Sequence, residues 1–244
     1  MKKTFTMPKI LLQLAFNLLI ISGVFAQNRR YLEDVGSLYA SIQIGNAIGN
    51  YASVLKSDKA PRTSGGVVVG YLANPYGNKR PSTVFVGGEL GIQFDGNENL
   101  NVLATNGGDF KANYYQYWLN GVARYRPILS STKFNPFFDV FTGYRSIVMA
   151  VNEQLGDEET ERLYTKRKGG LNYGLGIGTG IKLSGSLKNA YLDVAIYYQQ
   201  SDTGRLVRRN SVFLDSKYDT QFKTVLVKPN QFNIRVGLTG FLSK

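Results

Sequence analysis

The feature that most constrains this chain is a recurring segment of about ten residues in which polar and apolar side chains alternate. Eight such segments fit between Ser37 and Phe241. A period of two indicates β-strands that have one apolar face. Since lipid offers no hydrogen-bond partner to backbone groups, strands that cross a membrane must close into a barrel. The pattern therefore predicts an all-β fold, an eight-stranded antiparallel up-and-down transmembrane β-barrel.

The connections between the segments support this prediction. They read long, short, long, short, long, short, long along the chain. Bacterial barrels have short periplasmic turns and longer outer loops, and their strands need about 9 to 11 residues to span the membrane. A ten-stranded barrel would require part of the 200–230 connection to cross, but the apolar run 212–214 is short. A soluble barrel of the lipocalin type is a further alternative, because it would also show a period of two.

The less apolar face of the segments carries charged residues. An eight-stranded barrel has an interior only wide enough for its own side chains. We therefore expect these charges to form a barrel-interior network, a polar plug that leaves no open diffusion pore. The residues expected in it are Glu89, Arg124, Arg126, Asp139, Arg145, Lys182, Asp193 and Arg235. The second segment, 64–74, is apolar on both faces, so its facing stays ambiguous.

The first 26 residues have the pattern of a secretory signal peptide. A mostly apolar stretch at 10–25 is followed by Ala26, a small residue suited to cleavage. An N-terminal membrane anchor is the alternative, but Gln13 and Asn17 interrupt an apolar run that barely reaches the ~20 residues of a spanning helix. Three lysines form the basic start of this leader: Lys2, Lys3 and Lys9.

Removal of this leader would leave a basic, exported chain. We expect residues 27–36 to form a short periplasmic start and residues 37–244 to form the barrel. Without the leader lysines, 26 basic residues stand against 17 acidic ones, a net charge of about +9. For an exported protein this favours outer-membrane lipid and the phosphates of lipopolysaccharide as partners, and not nucleic acid. Because the chain has no cysteine, stability must come from sheet closure and not from disulfides.

Motifs in the middle of the chain resemble those of a known family. The sequence YQYWL at 115–119 is followed by RYRP at 124–127, FNPFF at 134–138 and GY at 143–144. Together they resemble the central hairpin of the small outer-membrane β-barrel proteins, the OmpX-like and OmpA-like barrels of Gram-negative bacteria. The resemblance implies an integral outer-membrane location and insertion by the barrel-assembly machinery, which reads a terminal aromatic residue, here Phe241.

The chain contains no histidine, the usual base in enzymes that activate serine or water. Zinc sites normally recruit histidine or cysteine, and both are absent. We therefore expect no catalytic, cofactor-binding or metal site. Carboxylate catalysis by Glu89, Asp139 or Asp193 is the alternative to their pairing with inward arginines. The glycines at alternate positions of 174–180 fit a crowded strand, because a phosphate-binding loop would open a helix.

The function expected from these features is that of a non-enzymatic outer-membrane barrel. Its long extracellular loops would serve a structural, adhesive or partner-docking role. One competing hypothesis is a narrow channel or small-solute carrier, and another is a lipid-modifying barrel enzyme, which the missing histidine disfavours. In the last connection, Arg205, Arg208 and Arg209 are candidates for contact with lipopolysaccharide phosphate, because they would lie near the outer leaflet.

Overall fold

The computed structural model describes the chain from the first barrel strand to the last. The described residues are 34–55, 63–77, 82–102, 109–127, 133–154, 160–183, 190–215, 217 and 219–243. The predicted signal peptide, residues 1–26, lies outside these ranges and stays a prediction. The first strand begins at Asp34, within the stretch assigned to a periplasmic start.

Strands dominate the described chain. In chain order the elements are β1 (Asp34–Ile48), α1 (Gly49–Leu55), β2 (Thr63–Ala73), β3 (Val84–Asn99), β4 (Asn101–Val102), β5 (Asp109–Tyr125), β6 (Phe134–Gln154), β7 (Thr160–Lys182), β8 (Ala190–Ser201), β9 (Gly204–Val207), β10 (Phe213–Leu214), β11 (Thr220–Gln221), β12 (Thr224–Val227) and β13 (Asn230–Ser243). Within the described ranges, no helix has the length and apolar character needed to span a membrane.

Eight of these strands close a barrel in the order β1-β2-β3-β5-β6-β7-β8-β13. Each strand is antiparallel to its two neighbours. The barrel closes between β1 and β13, which pair from Asp34 opposite Ser243 to Ile48 opposite Asn230. The predicted eight-stranded barrel is confirmed. The ten-stranded alternative is wrong, because β9 to β12 form short sheets outside the barrel.

The side chains alternate between the lumen and the outer wall as the period of two predicts. On β5, for example, Trp118 and Asn120 are buried in the lumen while Leu119 is exposed on the outer wall. The structure also settles the ambiguous second strand. Val68 and Leu72 of β2 are buried inside, and Val67 and Val69 face outward.

Inward glycines lie beneath aromatic side chains of neighbouring strands. Gly91 of β3 lies beneath the indole of Trp118 on β5, and Gly176 of β7 lies beneath the ring of Tyr197 on β8. A Cβ atom at either glycine would collide with the ring. The alternate glycines of β7 therefore make room for the aromatic part of the core, as expected for a crowded strand.

Three strands continue far beyond the length that a membrane requires. β6 has 21 residues and β7 has 23, against the about 9 to 11 of a spanning strand. The Asn/Gly-rich stretch 95–109 and the charged stretch that runs from the end of the fifth alternating segment to about Lys168 are typical of loops. This expectation is wrong for most of their length, because β3, β6 and β7 extend into them. We call the part of β5, β6 and β7 built from residues 109–115, 146–154 and 160–169 the projecting sheet.

The outer end of the barrel also carries α1 and the small sheets β9–β12 and β4–β10–β11. Residues of β1, α1, β9 and β12 share one buried apolar cluster: Ala47, Tyr51, Val54, Leu55, Leu206 and Val227. Burial raises the pKa of the Tyr51 phenol above its ordinary value, so this side chain stays neutral. These connections thus pack as an ordered cap above the lumen.

Candidate functional site

A buried carboxylate lies at the centre of the lumen. Glu89 on β3 is 3% exposed, and its Oε2 lies 2.8 Å from Nη1 of Arg235 on β13. Its two oxygens also accept hydrogen bonds from Tyr39 (3.0 Å), Asn120 (2.9 Å) and Trp118 (3.2 Å). A buried charge is costly unless it is paired and hydrogen-bonded. Glu89 meets both conditions, through partners on β1, β5 and β13.

A second ion pair lies nearer the periplasmic end of the lumen. Arg124 on β5 faces Asp139 on β6 directly across the ladder. Its Nε and Nη2 each lie 2.7 Å from a carboxylate oxygen of Asp139. The hydroxyl of Tyr197 donates to the same carboxylate at 2.6 Å, and Asp193 lies 3.6 Å from Arg124 Nη1. The two-point geometry orients Arg124 as well as neutralising it.

The third buried arginine has neutral partners. Arg145 on β6 donates to Oε1 of Gln116 at 2.5 Å and to Oε1 of Gln231 at 2.6 Å. Within the described chain it forms no ion pair at 4.0 Å or less. Gln116 in turn donates to Asp95 at 2.9 Å. Asp95 was not expected in the interior, because the alternation of apolar and polar residues ends at Phe94 and a polar stretch follows.

The remaining residues expected in the interior network take different positions. Arg126 is buried and lies over the ring of Phe241, with its Cζ 4.3 Å from the ring centroid. Phe241, the aromatic residue identified through the family resemblance, faces inward. Asp193 accepts a hydrogen bond from Thr239 at 2.6 Å. Lys182 departs from the expectation: it lies in the inward register of β7 but is exposed at the end of the strand.

The outer wall is apolar on every barrel strand. Exposed side chains such as Ile42, Leu119 and Ile177 are each more than half exposed. A polar, hydrogen-bonded interior within a closed barrel that has an apolar exterior is the arrangement that lipid requires. The chain is an integral outer-membrane β-barrel. The soluble, lipocalin-type alternative is wrong, because such a barrel would turn its apolar side chains inward.

This barrel has the architecture of the small OmpX-like and OmpA-like outer-membrane proteins that the central motifs predicted. No family model matches the sequence, and no curated protein matches it. Among solved structures, Ail, the attachment invasion locus protein of Yersinia pestis, is similar in fold at 13% sequence identity, with 86% of this chain and 99% of that chain covered and a TM-score of 0.42. The N-terminal β-barrel domain of Pseudomonas aeruginosa OprF is 8% identical, with 84% of this chain and 98% of that chain covered and a TM-score of 0.37. A major outer membrane protein from Thermus thermophilus is 14% identical, with 84% of this chain and 99% of that chain covered and a TM-score of 0.47.

The three arginines expected to contact lipopolysaccharide differ in their exposure to solvent. Arg205 and Arg208 are exposed, whereas Arg209 is 2% exposed. Arg209 donates to the carbonyl oxygen of Leu55 at 3.1 Å and also to the carbonyl of Asp95. For Arg209 the expectation is therefore wrong, because its guanidinium points into the cap and ties the last connection to α1 and β3.

Within the described chain, the edge of β7 beyond β8 has a part with no hydrogen-bonded strand beside it, and we call this part the free edge. Nearer the barrel, Gly204 of β9 lies against Lys168 of β7. β8 pairs with β7 only as far as Ser201 opposite Asn172. At the next residue, the N–H of Leu171 donates to the carboxylate of Asp202, and the carbonyl of Leu171 accepts from the N–H of Asp202. The backbone N–H and C=O of the odd-numbered residues of β7 therefore point toward the β8 side. Alternation places the backbone groups of Thr165 and Arg167 on that same side. In the part of the chain that the structure describes, no residue bonds them.

Proposed function

We propose that this protein is a non-enzymatic outer-membrane barrel that docks another protein on its projecting sheet. The observation that carries the proposal is the free edge of β7, which lies outside the membrane. An unpaired strand edge is a template for a further strand, and extended peptides bind other proteins in this way. The partner would add as a strand beside Thr165 and Arg167.

The charge along this edge selects the partner's chemistry. In the projecting part of β7, the three exposed cations Arg162, Lys166 and Arg167 stand against the single carboxylate of Glu161. Charge complementarity across an interface favours the right partner and accelerates association. The occupant we infer is therefore an extended, acidic segment of another protein at the cell surface.

The interior supports a docking role more than a transport role. Large side chains fill the lumen, and the two ion pairs Glu89–Arg235 and Arg124–Asp139 are buried in it. In an eight-stranded barrel the side chains occupy the space that a solute would need. The buried carboxylates of Glu89 and Asp139 each face an arginine, which favours a structural role over a catalytic one.

A strand-addition peptide tests the proposal. The probe is an eight-residue peptide of alternating glutamate and valine, titrated against the barrel in lipid nanodiscs, and its lysine–valine counterpart is the control. Thr165→Pro removes an N–H that points to the free edge, a position at which strands tolerate proline. We expect the acidic peptide to bind and Thr165→Pro to weaken binding at least tenfold, while Thr165→Ala does not.

Folding of each variant is checked by heat-modifiable migration in gels. Equal binding of the acidic and basic peptides would contradict the charge argument. Unchanged binding to a folded Thr165→Pro barrel would remove the edge as the docking site, and so would the absence of any binding to the unmodified barrel.

A further inference from the structure

The free edge of β7 has a second strand edge opposite it, on β9. The N–H of Arg208 donates to the carbonyl of Lys223, next to β12, so the even-numbered residues of this segment direct their backbone groups toward β12. Alternation turns the N–H and C=O of Arg205 and Val207 to the other side of β9. No described residue pairs with β9 on that side.

The two edges diverge from a common point near the barrel. Asp202, two residues before β9, bonds Leu171 of β7, and Gly204 lies against Lys168. Beyond this point β9 turns over the lumen, where Leu206 joins the buried apolar cluster shared with α1. β7 continues outward, paired with β6. The gap between the two strands therefore widens with distance from the barrel.

A cavity occupies this gap, and we call it the slot. β7 contributes Lys166 and Lys168 to its lining, and β9 contributes Arg205, Leu206 and Val207. Apolar side chains of α1 and β6 also line it: Val54, Leu55, Ile147 and Met149. The slot is thus bordered by two strands that each have unpaired backbone groups, and it has an apolar base.

We propose that the docked segment inserts into the slot and pairs with β7 and β9 at the same time. The inference rests on the docking function proposed above and defines its site. The inserted strand bonds Thr165 and Arg167 on one side and Arg205 and Val207 on the other. It is antiparallel to one of these strands and parallel to the other, since β7 and β9 run in opposite directions, and mixed sheets of this kind are common.

The lining of the slot selects the chemistry of the inserted strand. The cations Lys166, Lys168 and Arg205 outnumber the one carboxylate of the lining, that of Asp95, which favours an acidic segment. Successive side chains of a strand point to opposite faces, so every second side chain of the segment points toward the apolar base. The occupant is therefore an extended segment in which acidic and apolar residues alternate.

Residue-resolved amide exchange of the full barrel in lipid nanodiscs tests the insertion, with the alternating glutamate–valine peptide as the probe. Binding should protect the amides of Arg205 and Val207 together with those of Thr165 and Arg167. Leu206 is the internal control, because its N–H points toward β12, and its exchange should not change. Protection of the two β7 amides alone would show that the peptide adds to a single edge, and it would overturn the inference.

A pair of variants at one position gives a second test. Arg205→Pro removes the N–H that points into the slot, whereas Arg205→Ala removes the charged side chain and keeps that N–H. We expect the peptide to bind Arg205→Pro about fivefold more weakly than Arg205→Ala, the equivalent of one hydrogen bond. Equal affinity of these two folded variants, with binding still sensitive to Thr165→Pro, would overturn insertion and leave the docking function intact. Binding that is absent, or insensitive to Thr165→Pro, would refute the docking function and the insertion with it.

Discussion

Glu89 and Arg235 form an ion pair between β3 and β13, two strands that are not neighbours in the barrel. The contact therefore bridges the lumen over β1 and β2 and does not simply follow a strand ladder. Both side chains are almost fully buried. Within the described chain this pair and Arg124–Asp139 are the two ion pairs at which both partners are at most 4% exposed.

Removal of Arg235 should destabilise the barrel strongly. Arg235→Ala leaves the Glu89 carboxylate buried without its cation, and breaking a buried pair in this way costs about 3 to 5 kcal/mol. Urea unfolding in lipid vesicles would measure the loss. The double variant Glu89→Gln with Arg235→Ala should be more stable than Arg235→Ala alone, because it no longer buries a charge. A double variant that is less stable than Arg235→Ala would contradict this explanation.

The proposed plugging of the lumen by side chains predicts the absence of a channel. Purified barrel in planar lipid bilayers should give no stepwise ionic conductance, since side chains occupy the interior of an eight-stranded barrel. A variant with Glu89→Gln, Arg124→Ala and Asp139→Ala removes charge and volume from the lumen, so its conductance would show what an opened interior produces. Reproducible conductance steps from the unmodified barrel would favour the narrow-channel hypothesis.

The packing of aromatic rings on inward glycines predicts a position-dependent effect of alanine. Gly91→Ala would place a methyl group against the indole of Trp118, and overpacking of this kind costs about 1 to 3 kcal/mol. Gly65→Ala is the matched control, because the space at its Cβ position is open. Unfolding in urea should show a clear loss for Gly91→Ala and a change within about 0.5 kcal/mol for Gly65→Ala. Equal losses at the two sites would refute the packing argument.

Arg209 should hold the outer cap together. Arg209→Ala removes the donor to the carbonyls of Leu55 and Asp95, and a hydrogen bond to a charged group contributes about 1.5 to 3 kcal/mol. We expect faster hydrogen exchange in α1 and in 204–227, with unchanged protection of the barrel strands. Arg208→Ala, at the exposed neighbouring position, should leave exchange in the cap as it is. A cap that stays fully protected in Arg209→Ala would show that its apolar cluster is sufficient.

The barrel strands were predictable because successive residues face the lumen and the lipid in turn, which requires polar and apolar side chains to alternate along the sequence. Residues such as Glu89 and Arg124 were predicted on the correct face for this reason. The second strand gave no such information, because Val67, Val68 and Val69 are all apolar although only Val68 faces inward.

The projecting sheet was not predictable from the same pattern. Outside the membrane neither face of a strand is lipid-exposed, so Val148, Met149 and Ala150 are all buried and the alternation disappears. On β7 the charged run 161–168 is typical of a loop, and strand pairing with β6 overrides that preference. The partners of Arg145 were hidden for another reason: Gln116 and Gln231 come together only when the barrel closes.

The register between β1 and β13 has a consequence for biogenesis. Asp34 pairs with Ser243, so the first barrel strand of the chain must wait for the last one before the hydrogen bonds between them can form. Contacts between such distant parts of a chain form slowly. During that interval β1 and β13 both present unpaired edges, and the polypeptide has to be kept from aggregating until these two strands pair.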